Sequence, residues 1–187
     1  ISLTSTGGRI AETAPDAGVD LVADTLTLSA QTGILGLEIA VNRIESAVTT
    51  GGNIELRDFD GWKESKLGLS VGTVTTAKNS STTVTLQAQN NLLMGAASLV
   101  RGGTIRLISD QANVQVLTPS SGDSLDYSNG ISFKAAHVID LYRFFNAPDL
   151  IEYRAGDYFQ FTSGGTTTKV IPTENLTARS IIIETGD

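Results

Sequence analysis

The sequence predicts an all-β protein folded as a right-handed parallel β-helix, a solenoid in which short strands stack from one repeat to the next. Triplets with an apolar residue on each side of a middle residue recur eight times in the 187 residues, at separations of 21 to 30 residues, a period typical of stacked repeats. In seven triplets the middle residue is polar, as expected when alternate side chains face core and solvent. The triplets are Ile1-Ser2-Leu3, Leu26-Thr27-Leu28, Ile54-Glu55-Leu56, Val84-Thr85-Leu86, Ile105-Arg106-Leu107, Ile131-Ser132-Phe133, Phe159-Gln160-Phe161 and Ile181-Ile182-Ile183.

Glycine-bearing turns separate these strands and keep the same period, because glycine adopts the positive φ that tight corners require. They are Gly7-Gly8, Gly33, Gly51-Gly52, Asp60-Gly61, Gly102-Gly103, Asn129-Gly130, Gly164-Gly165 and Gly186. Secondary strands are predicted around residues 37–41, 67–71, 114–116 and 170–171. Two or three short strands per repeat favour the β-helix. The alternative is an antiparallel β-sandwich, which also has short strands and frequent turns.

Stacking of equivalent positions predicts an inward column of side chains, because neighbouring strands lie about 4.8 Å apart. We expect four leucines to be buried in one such column: Leu28, Leu56, Leu86 and Leu107. A location of these residues in different layers would favour the sandwich.

The chain is predicted to be one domain with two regions. Residues 1-134 carry the repeats, and residues 135-187 begin with an aromatic-rich insertion or cap that is followed by further repeats. A short helix is predicted near residues 136-146, where four residues have the spacing of one helix face. These are Val138, Leu141, Tyr142 and Phe145.

Aromatic side chains are concentrated in the second region. Seven of the ten Phe and Tyr residues lie between Tyr142 and Phe161. Clustered aromatic side chains usually pack inward, so we expect a buried cluster. The alternative is an exposed contact patch.

Composition excludes several classes of function. The 20 acidic residues against 13 Lys and Arg give a net charge of −7, the wrong sign for binding a phosphate backbone, so no nucleic-acid partner is expected. With no cysteine, the chain has no disulfide and no thiolate metal ligand. No apolar run approaches the roughly 20 residues of a membrane helix, so no membrane insertion is expected.

The strings at residues 1–8, 26–34 and 50–61 carry a family resemblance. They read ISLTSTGG, LTLSAQTGI and TGGNIELRDFDG. These strings resemble the filamentous-haemagglutinin-like, autotransporter-type β-helix repeats and the giant repeat proteins of planctomycete and related bacteria, over residues 1 to about 134. The resemblance implies a secreted, rigid, rod-like protein used for adhesion, surface coats or extracellular filaments, without catalytic residues in the repeats.

From this resemblance we expect a structural, non-catalytic segment of a larger bacterial surface protein, located at the cell surface or outside the cell. The alternative is a β-helix module that binds a surface glycan or a protein receptor, with the binding platform near residues 135–161. A polysaccharide lyase or hydrolase is the remaining alternative, because such enzymes present carboxylates and basic residues along a groove.

Candidate catalytic residues are few. His137 is the one histidine, and no Gly-x-Ser-x-Gly elbow accompanies it, so a serine triad and a histidine zinc site are not expected. The densest carboxylate group consists of Asp140, Asp149, Glu152 and Asp157, with Arg143 and Arg154 nearby. We expect these carboxylates to be solvated separately rather than to share a pocket.

No cofactor is expected, and Ca²⁺ is a weak possibility at two acidic turns. The first contains Asp58, Asp60 and Gly61, and the second contains Asp123, Asp126, Asn129 and Gly130. Hard cations favour such oxygen clusters, but neither turn matches a known calcium motif, and Asx turns explain both.

The two ends of the sequence lie within the repeat pattern, at Ile1-Ser2-Leu3 and at Ile181-Ile182-Ile183. Solenoids require caps because their end strands carry unpaired edges, and no cap is recognisable. We therefore expect a segment of a longer protein, or a unit that self-associates end to end or pairs with further repeats of the same polypeptide.

Overall fold

A computed structural model of the chain describes residues 1–13, 16, 18–59, 68–163, 166–170 and 176–186. These residues form fifteen β-strands and no helix, so the predicted all-β class is confirmed. The strands are β1 (Ser2–Ser5), β2 (Ile10–Ala11), β3 (Leu21–Ala30), β4 (Ile34–Thr49), β5 (Ile54–Asp58), β6 (Leu69–Thr75), β7 (Thr83–Ala88), β8 (Leu92–Ser109), β9 (Val114–Val116), β10 (Leu125–Ala135), β11 (Val138–Leu141), β12 (Leu150–Ala155), β13 (Tyr158–Ser163), β14 (Thr166–Val170) and β15 (Ser180–Thr185).

Strand pairing is parallel throughout the described part of the chain, except that β13 pairs with β14 in the antiparallel sense. Parallel neighbours require a long connection between them, and here the intervening chain provides it. The antiparallel sandwich considered as the alternative does not fit this pairing. Asp60, Gly61, Leu67, Gly164, Gly165 and Ile171, which contribute to predicted turns or strands, lie outside the described residues.

The strands stack into three ladders. Ladder I consists of β5, β7, β10, β12, β15, the beginning of β4 and the end of β8. Its members are 20 to 30 residues apart in sequence, as Ile131 with Ile151 and Ile54 with Val84 illustrate. One residue of each member stands in register: Ile34, Ile54, Val84, Ile105, Ile131, Ile151 and Ile181.

Ladders II and III consist of further paired strands. Ladder II consists of residues 69–71 of β6, residues 92–94 of β8, and the strands β9, β11 and β13. Ladder III consists of β1 and parts of β3, β4, β6, β8 and β10. Its register residues are Leu3, Leu28, Ala47, Val74, Val100 and Leu125.

The two longest strands, β4 and β8, each contribute to more than one ladder. β4 pairs with β5 through residues 34–39 and with β6 through residues 43–48, and β8 pairs with both β6 and β7. Because β5 also pairs with β7, the strands β4, β5, β7, β8 and β6 form a closed ring of parallel pairings. Buried apolar side chains from all three ladders form the core of the protein.

The predicted leucine column is confirmed for three of its four members. Leu56, Leu86 and Leu107 are buried and stand in register in ladder I. Leu28 is also buried, but it belongs to ladder III, where it pairs with Leu3 and Ala47. The alternation of apolar and polar residues along a strand shows which side chains face inward. Because this alternation is the same in every ladder, it does not identify the ladder to which a triplet belongs.

The helix predicted near residues 136-146 is wrong. Val138–Leu141 is strand β11, which lies between β9 and β13 in ladder II. The helical spacing of the apolar residues in this segment also fits a strand followed by a turn, and the parallel partners on both sides provide backbone hydrogen bonds for the extended form.

The aromatic cluster is largely buried, as predicted. Phe145, Tyr153 and Phe159 join Phe133 in the core, and Tyr142, Phe144 and Phe161 pack against it.

β10 (Leu125–Ala135) spans the predicted boundary between residues 134 and 135, and ladder I continues through β12 and β15. The aromatic segment is thus part of the stack.

Candidate functional site

The last strand of ladder I has an uncovered apolar edge. Ile181 and Ile183 of β15 pair with Ile151 and Tyr153 of β12. Ile151 and Tyr153 are fully buried, whereas Ile181 is 42% and Ile183 is 36% exposed. The difference arises because, in the described part of the chain, β15 has no strand on its other side.

The first strand of ladder III shows the same feature. β1 pairs only with β3 among the described strands, and its apolar residues Ile1 and Leu3 are 50% and 37% exposed. A parallel stack therefore presents backbone donors and acceptors and apolar side chains at both outer strands. Unpaired edges of this kind are templates for a further strand.

A polar groove lies on the outer side of ladder II, with a volume of about 410 Å³. Asp140 in β11 lines this groove and is only 5% exposed. Its Oδ2 atom accepts hydrogen bonds from Gln115 Nε2 (3.0 Å), Gln160 Nε2 (2.9 Å) and Thr162 Oγ1 (3.0 Å). Its Oδ1 atom is buried without a hydrogen-bond partner among the described residues.

The register of ladder II brings these groups together. Gln115, Asp140 and Gln160 are the middle residues of β9, β11 and the start of β13, and they stand in register in ladder II. Each has apolar neighbours that face the core, so the polar side chain faces outward. Tyr158, at the beginning of β13, also lines the groove, and Lys169 Nζ lies 3.8 Å from the centre of its ring.

Asn91 and Asn113, which directly precede β8 and β9, also line the groove. Asn91 Oδ1 accepts the backbone N–H of Asn113 (3.2 Å), and Asn113 Oδ1 accepts that of Val138 (3.0 Å). These bonds fix the orientation of both side-chain amides. Because each amide oxygen is used as an acceptor, the NH₂ group is left as the available donor.

The four carboxylates predicted as an enzyme alternative lie in separate surroundings. Asp140 lies in the groove, and Asp149 pairs with Arg179 at 3.0 Å. The side chain of Glu152 lies beside a different depression, lined also by Arg154 and Glu184. Asp157 contacts His137 at 3.0 Å in an exposed pair. None of the four cavities described for this chain is lined by two of these carboxylates.

Glu152 is also unsuited to act as a general acid, which requires a raised pKa. Burial acts to raise the pKa of Glu152, but hydrogen bonds from Arg154 and Ser132 outweigh it and hold the pKa below its usual value. Ser132 Oγ donates to Oε2 at 2.7 Å and Arg154 Nε donates to Oε1 at 2.6 Å. Arg143, the other predicted cation, pairs with Asp123 at 2.8 Å.

In the described residues of the two predicted calcium turns, the polar side chains contact other groups of the protein. Asp58 Oδ1 accepts the backbone N–H of Val41 (3.0 Å), and its predicted companions Asp60 and Gly61 lie outside the described residues. In the second turn, Asp126 pairs with two cationic side chains. Asp123 is bound to Arg143, and Asn129 Nδ2 donates to Thr104 Oγ1 (3.2 Å).

Asp126 instead joins three parts of the chain. Lys78 contacts its Oδ1 atom, and Arg101 Nε donates to Oδ2 at 2.8 Å. The hydrogen bond from Lys78, together with that from Arg101, holds the pKa of Asp126 below its usual value. A lowered folded-state pKa means that the ionised form stabilises the fold above the unfolded pKa of about 4 and loses this effect as the pH falls through the folded pKa.

We expect the substitution Asp126→Asn to lower the free energy of unfolding at pH 7 by about 0.5 kcal/mol, because these side chains are partly exposed and screened by water. Urea denaturation of the wild type and the variant should show this difference at pH 7 and a smaller one as the pH falls through the folded-state pKa of Asp126. Added salt should reduce the difference at pH 7. A difference that persists unchanged near pH 2 would contradict the ion-pair explanation.

A group of three carboxylates was not predicted from the sequence. Glu12, Asp20 and Glu38 place one oxygen each within 4.8 Å of one another. Loss of solvent around the carboxyl and the negative charges of Asp20 and Glu38 raise the pKa of Glu12. These residues come from three separate segments, so no local motif marks them. Exposed acidic groups of this kind are common without a cation, and the cluster alone does not identify a metal site.

Comparisons with known proteins were made over the whole chain. They found no matching protein-family model, no matching curated protein and no matching solved structure. Within the described residues, no helix is long and apolar enough to cross a bilayer.

Proposed function

We propose that the chain is a right-handed parallel β-helix and a structural, non-catalytic repeat segment of a larger bacterial surface protein, part of a rod, coat, filament or adhesin stalk outside the cell. The observation that carries the proposal is the register of ladder I, in which six successive strand pairs are parallel and 20 to 30 residues apart. Right-handed crossovers are strongly preferred between parallel strands of one sheet, which supports the handedness.

The stack suits a structural role. Each repeat contacts mainly the repeats before and after it, so further repeats lengthen the body without new kinds of contact. In ladder I the buried column continues from Leu56 through Leu86 and Leu107 to Phe133 and Tyr153. A body that is stabilised in this way is stiff along the stacking direction, as a rod or stalk requires.

The extracellular location is supported by the resemblance of the repeats to filamentous-haemagglutinin-like and giant bacterial surface proteins. The net charge of −7 opposes binding to nucleic acid. For partners, we infer that the outer strands β1 and β15 pair either with a second copy of the chain, end to end, or with further repeats of the same polypeptide.

End-to-end pairing predicts that the isolated chain self-associates into elongated particles as its concentration rises. The double substitution Ile181→Lys and Ile183→Lys should abolish this association, because it places charges on the uncovered edge of β15. Light scattering and electron microscopy measure the outcome. The far-UV circular dichroism spectrum should stay unchanged, since both side chains are already exposed at this edge.

A matched control is Val48→Lys, which changes an apolar residue of similar exposure, 36%, on a strand that has partners on both sides. This variant should associate like the wild type. A wild-type chain that stays monomeric at high concentration, or a loss of association in the control as well, would contradict end-to-end pairing. Turnover of a polysaccharide by the wild type, lost in Glu152→Gln, would contradict the non-catalytic role.

A further inference from the structure

We propose that the groove around Asp140 binds a neutral oligosaccharide. The groove lies on the outer side of ladder II and none of its described lining residues belongs to β1 or β15, so this inference does not rest on end-to-end pairing. Its volume of about 410 Å³ falls in the range of small-molecule sites. Its length follows the stacking direction, because its lining residues come from strands that are successive in ladder II.

The lining offers both donors and acceptors. Gln115 and Gln160 each use their NH₂ group on Asp140, which leaves their Oε1 atoms without a protein donor among the described residues. Asn91 and Asn113 use their oxygens on backbone N–H groups, which leaves their NH₂ groups as donors. A hydroxyl group both donates and accepts, so a surface of fixed, alternating amide donors and acceptors matches a ligand rich in hydroxyl groups.

Asp140 also supports a ligand in this groove, because one of its carboxylate oxygens has no partner among the described residues. Its Oδ1 atom is buried and has no hydrogen-bond partner within the described chain, although buried polar atoms are nearly always paired. An unpaired buried acceptor costs about 1–3 kcal/mol. Asp140 lines the groove, so a ligand hydroxyl that reaches Oδ1 and donates to it would remove this cost.

The charges of the groove select among ligands. Asp140 is its one acidic side chain, and no Lys or Arg belongs to its lining in the described part of the chain. An anionic ligand would therefore meet the Asp140 carboxylate directly, while Lys169, beside the groove, has its Nζ 3.8 Å from the centre of the Tyr158 ring and is not part of the lining. A bound Ca²⁺ requires six to eight oxygen ligands, and Asp140 Oδ2 already accepts three hydrogen bonds. Neutral hydroxyl groups fit better than either ion.

Tyr158 gives the groove an apolar surface beside its polar groups. Its ring lines the groove close to Gln160 and Val138. Aromatic rings pack against the C–H groups of a sugar ring, while amide and carboxylate groups bind the hydroxyls. This combination of one aromatic ring with several fixed polar groups is the composition expected of a specific ligand site.

The test is isothermal titration calorimetry of the whole chain with linear, neutral oligosaccharides of β-linked glucose, mannose, galactose and xylose. We expect at least one of them to bind with a Kd of about 10 µM to 1 mM. Tyr158→Ala and Gln115→Ala should each weaken this binding about tenfold, because each removes a lining group. Tyr158→Phe should preserve it, since the ring is kept.

Gln87→Ala is the matched control. Gln87 lies in ladder I, where its amide donates to Asp110, and its removal should leave binding unchanged. Thermal unfolding of every variant checks that the fold is intact. Failure of all the neutral oligosaccharides to bind at millimolar concentration would overturn the proposal. So would tighter binding of an acidic oligosaccharide or of Ca²⁺, or binding that is equally strong in the folded Tyr158→Ala and Gln115→Ala variants.

Discussion

Replacement of Gly103 by alanine is expected to lower the free energy of unfolding by about 3 kcal/mol or more. A Cβ atom at this position would lie 1.6 Å from the carbonyl oxygen of Asn79 and 2.7 Å from that of Thr82. Both neighbours are backbone atoms, so no side-chain rotation relieves the collision. The segment that contains them must move, or β8 must bend away from it.

The hydrogen bonds around Gly103 increase this cost. The backbone N–H of Gly103 donates to Thr82 Oγ1 at 3.0 Å, and the same hydroxyl contacts the carbonyl oxygens of Ala77 and Asn79. Thr82 is buried. Movement of the 77–82 segment would therefore leave buried polar groups unpaired, in addition to the steric strain.

The matched control is Gly51→Ala, at a position where an added Cβ atom meets nothing within 4 Å. This change should alter stability by less than about 1 kcal/mol, with stabilisation the favoured direction. Urea denaturation followed by circular dichroism measures both variants, and Gly103→Ala should lower Tm by about 6 to 12 °C. Equal stability of the two variants would show that the 77–82 segment does not lie against β8.

Gly103 also illustrates what the sequence could and could not predict. The pair Gly102-Gly103 was expected to form a turn with positive φ, as Gly33 and Gly52 do. Both residues instead lie within strand β8. The requirement for glycine at residue 103 comes from a neighbouring segment more than twenty positions away, and local sequence carries no record of such a contact.

The strands themselves were largely predictable, because alternation of apolar and polar residues reports which side chains face inward. The triplets that begin at Ile54, Val84, Ile105 and Ile131 are indeed consecutive members of ladder I. The member that begins at Ile151 was missed. It lies in the aromatic-rich segment, where the spacing of the apolar residues predicts a helix. The order of strands depends on turn lengths, which alternation does not report.

The groove was predictable only in part. Asp140 was named only in the carboxylate group of the enzyme alternative, whose members were expected to be solvated separately, and its glutamine partners were not named with it. Its partners Gln115 and Gln160 lie 25 and 20 residues away. Each is the polar centre of an apolar-x-apolar triplet, and this is the feature that could have identified them once the register of ladder II was known.

Tyr153 is expected to be among the largest single contributors of stability in the aromatic cluster. Its ring is fully buried, lies nearly parallel to that of Phe133 at a centroid distance of 5.3 Å and meets Phe159 edge-on at 6.2 Å. Tyr153→Ala should lower the free energy of unfolding by about 3–5 kcal/mol, since it removes these contacts and leaves a cavity. Chemical denaturation measures the loss.

The hydroxyl group of Tyr153 can be tested separately. It accepts the backbone N–H of Phe145 at 2.9 Å and donates to the carbonyl oxygen of the same residue at 3.1 Å. Burial raises the pKa of Tyr153, so the hydroxyl keeps its proton at neutral pH. Tyr153→Phe should cost about 1–3 kcal/mol, because it leaves both buried backbone groups unpaired.

Tyr142→Phe provides the comparison for this hydroxyl. Among the described residues, the hydroxyl of Tyr142 has one hydrogen-bond partner, Asp123, at 3.5 Å and at the surface, so its removal should change stability by less than about 0.5 kcal/mol. If Tyr153→Phe costs no more than Tyr142→Phe, then the hydroxyl of Tyr153 does not anchor the segment around Phe145. In that case ring packing alone holds the segment around Phe145, and the loss of ring contacts should explain the whole decrease in the free energy of unfolding of Tyr153→Ala.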